Sequence, residues 1–213
     1  MLSVTLPRLR KVLCLGAHSD DIEIGCGGSL LKMARERPDL DVEWIVFSAG
    51  GRRTLEAQRS ARDCLRGLAR KKVVVKRFRA SFFPSQYERL KKYFEYLKRT
   101  FQPELIFTHY RDDRHQDHRV LSELAWNTFR NHLILEYEVP KYDGDLGIPN
   151  FFVPLDDDLA QEKVGNLCRH FQTQGNKHWF TPDTFLGLMR LRGIECASPT
   201  RFAEAFHCRK LVL

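Results

Sequence analysis

The sequence predicts a three-layer α/β/α domain whose sheet is mostly parallel and whose chemistry sits at the carboxyl ends of its strands. Three observations carry that expectation. Short apolar runs of β character alternate with helical patterns from residue 11 to residue 138, as βαβ units require. Two of the runs empty into clusters of histidine and aspartate, and in open α/β sheets ligands bind outside such strand ends. No repeat, low-complexity tract or linker interrupts the 213 residues, so one domain spanning 1–213 is expected.

The first strand is Lys11–Gly16, where Val12, Leu13, Cys14 and Leu15 form a run suited to a strand buried on both faces. It delivers Ala17-His18-Ser19-Asp20-Asp21, and Ile22–Glu36 then reads as a helix with Gly25, Gly27 and Gly28 near its start and Pro38 beyond its end. Asp41–Phe47 is the second strand, and Ser48–Arg53 the loop at its end. Thr54–Leu68 is a helix with Thr54 as its N-cap. Lys72–Phe78 is a strand, and Gln86–Phe101 a helix with Leu90, Phe94 and Leu97 at helical spacing. The next strand, Glu104–Thr108, opens into His109, Asp112, Asp113, His115, Gln116, Asp117 and His118. A helix over Arg119–Arg130 and a strand over Leu133–Glu138 follow. The remainder is less regular: a turn-rich loop Lys141–Asn150, a strand Phe151–Pro154, helices Asp157–Phe171 and Pro182–Arg192, and a closing strand Phe202–Phe206. This pattern is Rossmann-like.

Composition narrows the class. With 43% hydrophobic and 29% charged residues the chain is an ordinary globular sequence. No run approaches the roughly 20 apolar residues of a membrane span. Met1–Leu15 lacks the apolar core and cleavage site of a secretory signal, so a cytoplasmic protein is expected. The six cysteines are scattered with no C-x-x-C pair, which fits free core thiols better than disulfides or a zinc ribbon. A net charge of +8 attracts anions. The basic stretches Arg66–Arg79 and Arg89–Arg99 carry no nucleic-acid motif, however, and read as solvated faces. No nucleic-acid partner is expected, and a helix-rich basic surface permits a homo-oligomer.

If the two polar strand ends are neighbours, their side chains can assemble a hydrolytic metal site: three His/Asp/Glu ligands, an open position for water, and a base beside it. Each residue alone has a plainer reading. Asp20-Asp21 could cap a helix, and His115 and His118 are i,i+3 residues on one turn. Two separate strand ends crowded with ionisable groups outweigh those readings. A dinucleotide site is disfavoured, because G-x-G-x-x-G is absent and Asp20-Asp21 would sit where a pyrophosphate must.

Ala17-His18-Ser19-Asp20-Asp21 with Gly27-Gly28 resembles the A-H-P-D-D…G-G signature of the PIG-L/LmbE-like deacetylase family, and His115-Gln116-Asp117-His118 resembles its H-P-D-H motif. Arg53-Thr54-Leu55-Glu56 is similar to the family's R-x-x-E, and Arg201–Phe206 to its Y-A-E-A-F ending. The resemblance implies a metal-dependent hydrolase that removes the acetyl group from an N-acetylglucosamine-type small molecule. His18, Asp21 and His118 become ligands of Zn²⁺, and the donor set also suits Fe²⁺. Asp20 becomes the general base, and His115 the residue that polarises the oxyanion or protonates the amine, oriented by Asp117. Ser19 and Gln116 replace prolines and Ile22 replaces a common glutamate, none of them an assigned ligand. Outside the motifs, Arg53, Tyr142 and Asp143 are weaker candidates for substrate contact, and Trp179 reads mainly as packing, with stacking on a sugar ring as the alternative. The alternative within the same chemistry is an amidase acting on another N-acyl substrate, such as a thiol conjugate or an antibiotic or polysaccharide intermediate.

Overall fold

A computed structural model describes residues 4–212. Seven strands form one sheet: β1 (Lys11–Gly16), β2 (Asp41–Val46), β3 (Arg70–Val75), β4 (Leu105–His109), β5 (Leu133–Tyr137), β6 (Phe151–Leu155) and β7 (Phe202–Cys208). Their order is β3-β2-β1-β4-β5-β7-β6. The first five are parallel, and β7 runs antiparallel to both β5 and β6. Among the described residues six α-helices complete the fold: α1 (Asp21–Glu36), α2 (Arg52–Cys64), α3 (Tyr87–Thr100), α4 (Gln116–Thr128), α5 (Asp157–His170) and α6 (Pro182–Glu195). Among the described residues no helix is long and apolar enough to cross a membrane.

Side-chain alternation along β1 divides the core. Val12 and Cys14 face α1, α2, α5 and α6, whereas Leu13 and Leu15 face α3 and α4, where Leu90, Phe94, Leu121 and Leu124 are buried. This is the expected three-layer arrangement. Several boundaries shift: α4 begins at Gln116 rather than Arg119, so Asp117 and His118 lie in its first turn. Helix α2 begins at Arg52 behind Gly51, whose positive φ of 56° turns the chain. Thr54 therefore sits inside the first turn and is not the N-cap. The arginines extend the helix backwards because the glycine, not the threonine, supplies the change of direction.

Strand order places the two polar strand ends side by side. The chain runs outward from β1 through β2 to β3, then returns to the other side of β1 with β4. Val12 pairs with Leu105 and Cys14 with Phe107. The β1–α1 and β4–α4 loops thus flank the topological switch point of the sheet.

Helix α1 reaches that edge by an unusual route. At Cys26 the backbone leaves helical geometry (φ −143°, ψ 16°), which breaks the i→i−4 ladder. The amides of Gly28 and Ser29 donate instead to the two carboxylate oxygens of Glu204 on β7, both at 2.7 Å. The freed carbonyl of Ile24 accepts from Lys163 Nζ on α5 at 2.6 Å, and Lys163 pairs with Glu204 at 2.7 Å. A buried Lys–Glu pair is thereby inserted into the break and takes up the amides of Gly28 and Ser29 and the carbonyl of Ile24. Gly25 faces the Tyr137 ring of β5, where an added Cβ would lie 2.1 Å from a ring carbon, so glycine is what lets the kinked turn press on the sheet.

Removing one member of that pair strands the other. Glu204→Ala is expected to destabilise the protein by about 3–5 kcal/mol, because it leaves a buried ammonium uncompensated, and Glu204→Gln by less. Urea unfolding reads the difference as a shift in midpoint at constant m-value. A loss below about 1 kcal/mol for Glu204→Ala would remove the pair from the account of α1.

Candidate active site

Three ligand-type atoms converge where the β1–α1 loop meets the start of α4. His18 Nδ1 lies 3.2 Å from His118 Nε2 and 3.3 Å from Asp21 Oδ2, and His118 Nε2 lies 3.4 Å from Asp21 Oδ2. A tetrahedral ion with bonds of about 2.0–2.1 Å to nitrogen and oxygen has ligand-to-ligand edges of about 3.3–3.4 Å. The triangle therefore matches one face of such a tetrahedron and leaves the fourth direction to the cavity. The donor set fits a divalent cation of the zinc or iron type.

The groups behind the triangle fix which nitrogens face inward. His18 Nε2 is held by Asp117 Oδ2 at 3.1 Å, and His118 Nδ1 by Asp113 Oδ2 at 2.8 Å. Each imidazole meets a carboxylate through its outer nitrogen and turns its inner nitrogen to the centre, the arrangement in which a bound cation would displace the inner proton. Asp113 also accepts from the His115 amide at 2.8 Å and from Lys141 Nζ at 2.9 Å. Burial pushes Asp113 up, but the hydrogen bond and charge of His118 outweigh it and hold the carboxyl below its ordinary range. Burial likewise raises Asp21, and the charges of His118 and His18 bring it well below the usual value. Burial pulls the His18 imidazole down, yet Asp21 and Asp117 hold it up at about 10. The cluster draws positive charge to its centre.

Asp20 behaves differently. It occupies the N-cap position of α1 without capping it, so the plain capping reading does not describe this side chain. Among the described residues its Oδ1 accepts only from the Ser19 hydroxyl, at 3.2 Å. Burial and then the Asp21 charge raise its pKa, opposed by His18, Lys177 and Arg53. A carboxyl shifted upward beside a candidate metal centre has the character of a general base.

His115 caps α4, its Nδ1 accepting the Asp117 amide at 3.2 Å. Burial, then the charges of His118 and His18, lower its pKa to about 4. It is a neutral imidazole whose remaining nitrogen, Nε2, carries the proton. Its ring lies 4.8 Å from that of His18 and 4.6 Å from that of His118.

One expected pairing is corrected. The Asp117 carboxylate does not orient His115, which meets only the Asp117 main chain. The carboxylate points back from the first turn of α4 onto His18 and accepts the amides of Ser81 at 2.6 Å and Phe83 at 3.0 Å. Ser81 takes a left-handed φ of 67° in delivering its amide, a strained conformation for a residue with a Cβ.

A cavity of about 290 Å³ opens over the centre, lined by His18, Asp20, Asp21, His115 and His118. Arg53, Tyr142 and Asp143 also line it, so the weaker sequence candidates reach the same space. Arg53 makes no pair with Glu56, whose nearest cation is Arg52 at 3.6 Å. Sequence reasoning missed the roles of Asp113 and Lys141 and the wall residues Gln174 and Lys177. Of the two readings for Trp179, loop packing was favoured over stacking on a sugar ring, and Trp179 lines the cavity. His109 stood among the polar residues without a role. Its Nε2 accepts the Ala17 amide at 2.9 Å and lies 3.3 Å from Asp21, bracing the β1–α1 loop from β4.

The family model for GlcNAc-PI de-N-acetylases of the PIG-L type matches residues 13–129. An Escherichia coli K12 protein described as the uncharacterized deacetylase YaiS is 25% identical over 170 residues, covering 76% of this chain and 90% of that protein. Among solved structures, the N,N'-diacetylchitobiose deacetylase of Pyrococcus horikoshii superposes with a TM-score of 0.74 at 21% identity, over 95% of this chain and 84% of that one. GalB of Pseudomonas putida KT2440, a 4-carboxy-2-hydroxymuconate hydratase, superposes at 0.71 and 14% identity, over 96% of this chain and 98% of that one. Those two likenesses concern the fold, which serves more than one reaction. The match over residues 13–129 takes in both strand ends and every group of the triangle, and by it the chain belongs to the PIG-L family of deacetylases, which are amide hydrolases.

Proposed function

We propose that residues 1–213 form one catalytic domain, a zinc-dependent N-deacetylase acting on an N-acetylglucosamine-type small molecule. The observation that carries this reading is the 3.2–3.4 Å triangle of His18, Asp21 and His118 with Asp20 and His115 on the same cavity wall. His18, Asp21 and His118 hold the ion, Zn²⁺ in this reading and Fe²⁺ as the alternative. Bound there, it supplies Lewis acidity, making a water acidic near neutral pH and polarising the acyl oxygen.

This chain's residues do the rest. Asp20, its pKa raised, accepts the proton of the attacking water. His115 donates from Nε2–H to the acyl oxygen as negative charge develops there, a demand that preorganised donors meet best. The nitrogen must be protonated before the C–N bond breaks, and the proton taken up by Asp20 serves, because a neutral His115 would have to become an imidazolate to give up its own. The products are acetate and the free amine. Arg53, Tyr142 and Asp143 face the remainder of the substrate. The same chemistry on another N-acyl compound is distinguished by the panel below.

Amine release from a panel of N-acetylglucosamine derivatives, before and after chelation, tests the proposal. Chelator-sensitive release restored by zinc or ferrous ion is expected; release indifferent to chelation would sink it. Asp20→Asn is expected to lower kcat by about 10²–10⁴-fold, the range of general acid–base catalysis, with metal content by elemental analysis unchanged. Loss of metal in that variant would exchange the roles of the two aspartates.

Asp113→Ala removes the carboxylate that orients His118 without touching the centre directly. Zinc affinity is expected to fall about 10–100-fold, as for other partners of metal-bound histidines, measured by competition with a chromophoric chelator. Unchanged affinity would show that packing alone positions the His118 ring.

A further inference from the structure

Gln174 is 1% exposed, lines the active-site cavity, and has no hydrogen-bond partner at either amide atom among the described residues. Burying both a donor and an acceptor without partners is among the less favourable arrangements a fold can hold. Its backbone, by contrast, is fully engaged. The Gln174 amide donates to Phe171 O and its carbonyl accepts the Lys177 amide, both at 2.9 Å. The preceding residue is clamped as well: Thr173 gives its amide and hydroxyl to the Glu56 carboxylate, at 3.1 and 2.6 Å. Glu56 thus anchors from α2 the turn that carries Gln174. The Glu23 carboxylate is also buried and unpartnered, but Glu23 does not line this cavity. The distinction of Gln174 is a buried, unpartnered amide on a fixed backbone in the wall of the catalytic cavity.

We propose that Gln174 is a specificity-determining residue that reads a ring hydroxyl of the substrate. The inference rests on the deacetylase reading above and deepens it. An amide whose donor and acceptor both lack partners is met in full by a group that offers both. A phosphate or carboxylate ionised at neutral pH only accepts and would leave Oε1 open, whereas a sugar hydroxyl donates and accepts through one oxygen. Arg53 and Lys177, also on the wall, are donors only and leave the accepting role to Gln174. A site built to pair with a hydroxyl rejects the analogue lacking it far more strongly than an apolar pocket rejects a missing methylene.

A cycle between enzyme and substrate decides the matter. Amine release is measured from methyl N-acetylglucosaminide and its 3-, 4- and 6-deoxy analogues with zinc-loaded wild type and Gln174→Leu. In wild type one deoxy analogue is expected to lose about ten- to hundredfold in kcat/KM. In Gln174→Leu the parent sugar falls by a similar factor and the penalty for that analogue disappears, a coupling a merely structural role would not produce. Equal penalties in both enzymes overturn the proposal, including the case in which leucine only disturbs the fold. Gln174→Glu keeps shape and acceptor but loses the donor, and is expected to retain part of the discrimination. Binding of glucosamine, followed by tryptophan fluorescence, needs no turnover. If wild type releases no amine, the functional reading fails while this arm still decides: at least tenfold weaker binding by Gln174→Leu supports the proposal, and equal affinity or no binding by wild type overturns it.

Discussion

Four aspartates buried within a few ångströms of three histidines set the constraint on which the rest of this structure depends. A carboxylate taken out of water stays charged only where positive charge or N–H groups meet it. Asp21 is met by the His18 amide and by the rings of His18 and His118. Asp113 is met by His118, Lys141 and the His115 amide, and Asp117 by His18 and two loop amides. Asp20 has the Ser19 hydroxyl alone. Three carboxylates are each met by several donors, and the fourth is the proposed base. That asymmetry, more than the presence of acids as such, separates the proposed base from its neighbours.

Holding such a cluster together takes more than the two loops that bear it. The turn carrying Asp21 must lie close on the sheet, which requires Gly25 against the Tyr137 ring. The Tyr137 hydroxyl in turn donates to Leu15 O at 2.7 Å, and His109 holds the Ala17 amide. The remainder of α1 then has to leave in another direction. The break at Cys26 permits this because the Glu204–Lys163 pair takes up the amides and carbonyl it frees. A glutamate near the end of the chain and a lysine on α5 thus sustain the geometry of a loop that precedes them by well over a hundred residues.

Much of this was legible in the sequence. Period and apolar runs locate the strands and helices, and the clusters after β1 and β4 mark the switch point, because only a binding site tolerates so many ionisable groups at buried strand ends. The misses share one cause. Asp117 was expected on His115, its near neighbour in sequence, but the first turn of α4 carries its carboxylate to His18 instead. Asp113 looked like one more loop aspartate, since its partner depends on how the loop folds back. Gln174, Lys177 and Trp179 lie after α5, and no local pattern reveals which cavity a distant turn will close. Local spacing encodes local geometry; the walls of a cavity are tertiary facts.

The family match ends at residue 129, and this division has a physical meaning. His18, Asp20, Asp21, Asp113, His115, Asp117 and His118 all fall inside it, on the parallel half of the sheet where strand order fixes their meeting. The far wall, with Tyr142, Asp143, Gln174, Lys177 and Trp179, comes from the irregular connection after β5 and the turn after α5. Loops outside the parallel core can change without moving the triangle, because the carboxylates that orient His18 and His118 lie within the matched stretch. Similar folds can therefore carry different reactions, as the likeness to a hydratase indicates. The proposed metal centre depends on the sheet, whereas the proposed choice of substrate depends on groups such as the buried, unpartnered amide of Gln174, which the reaction itself does not require.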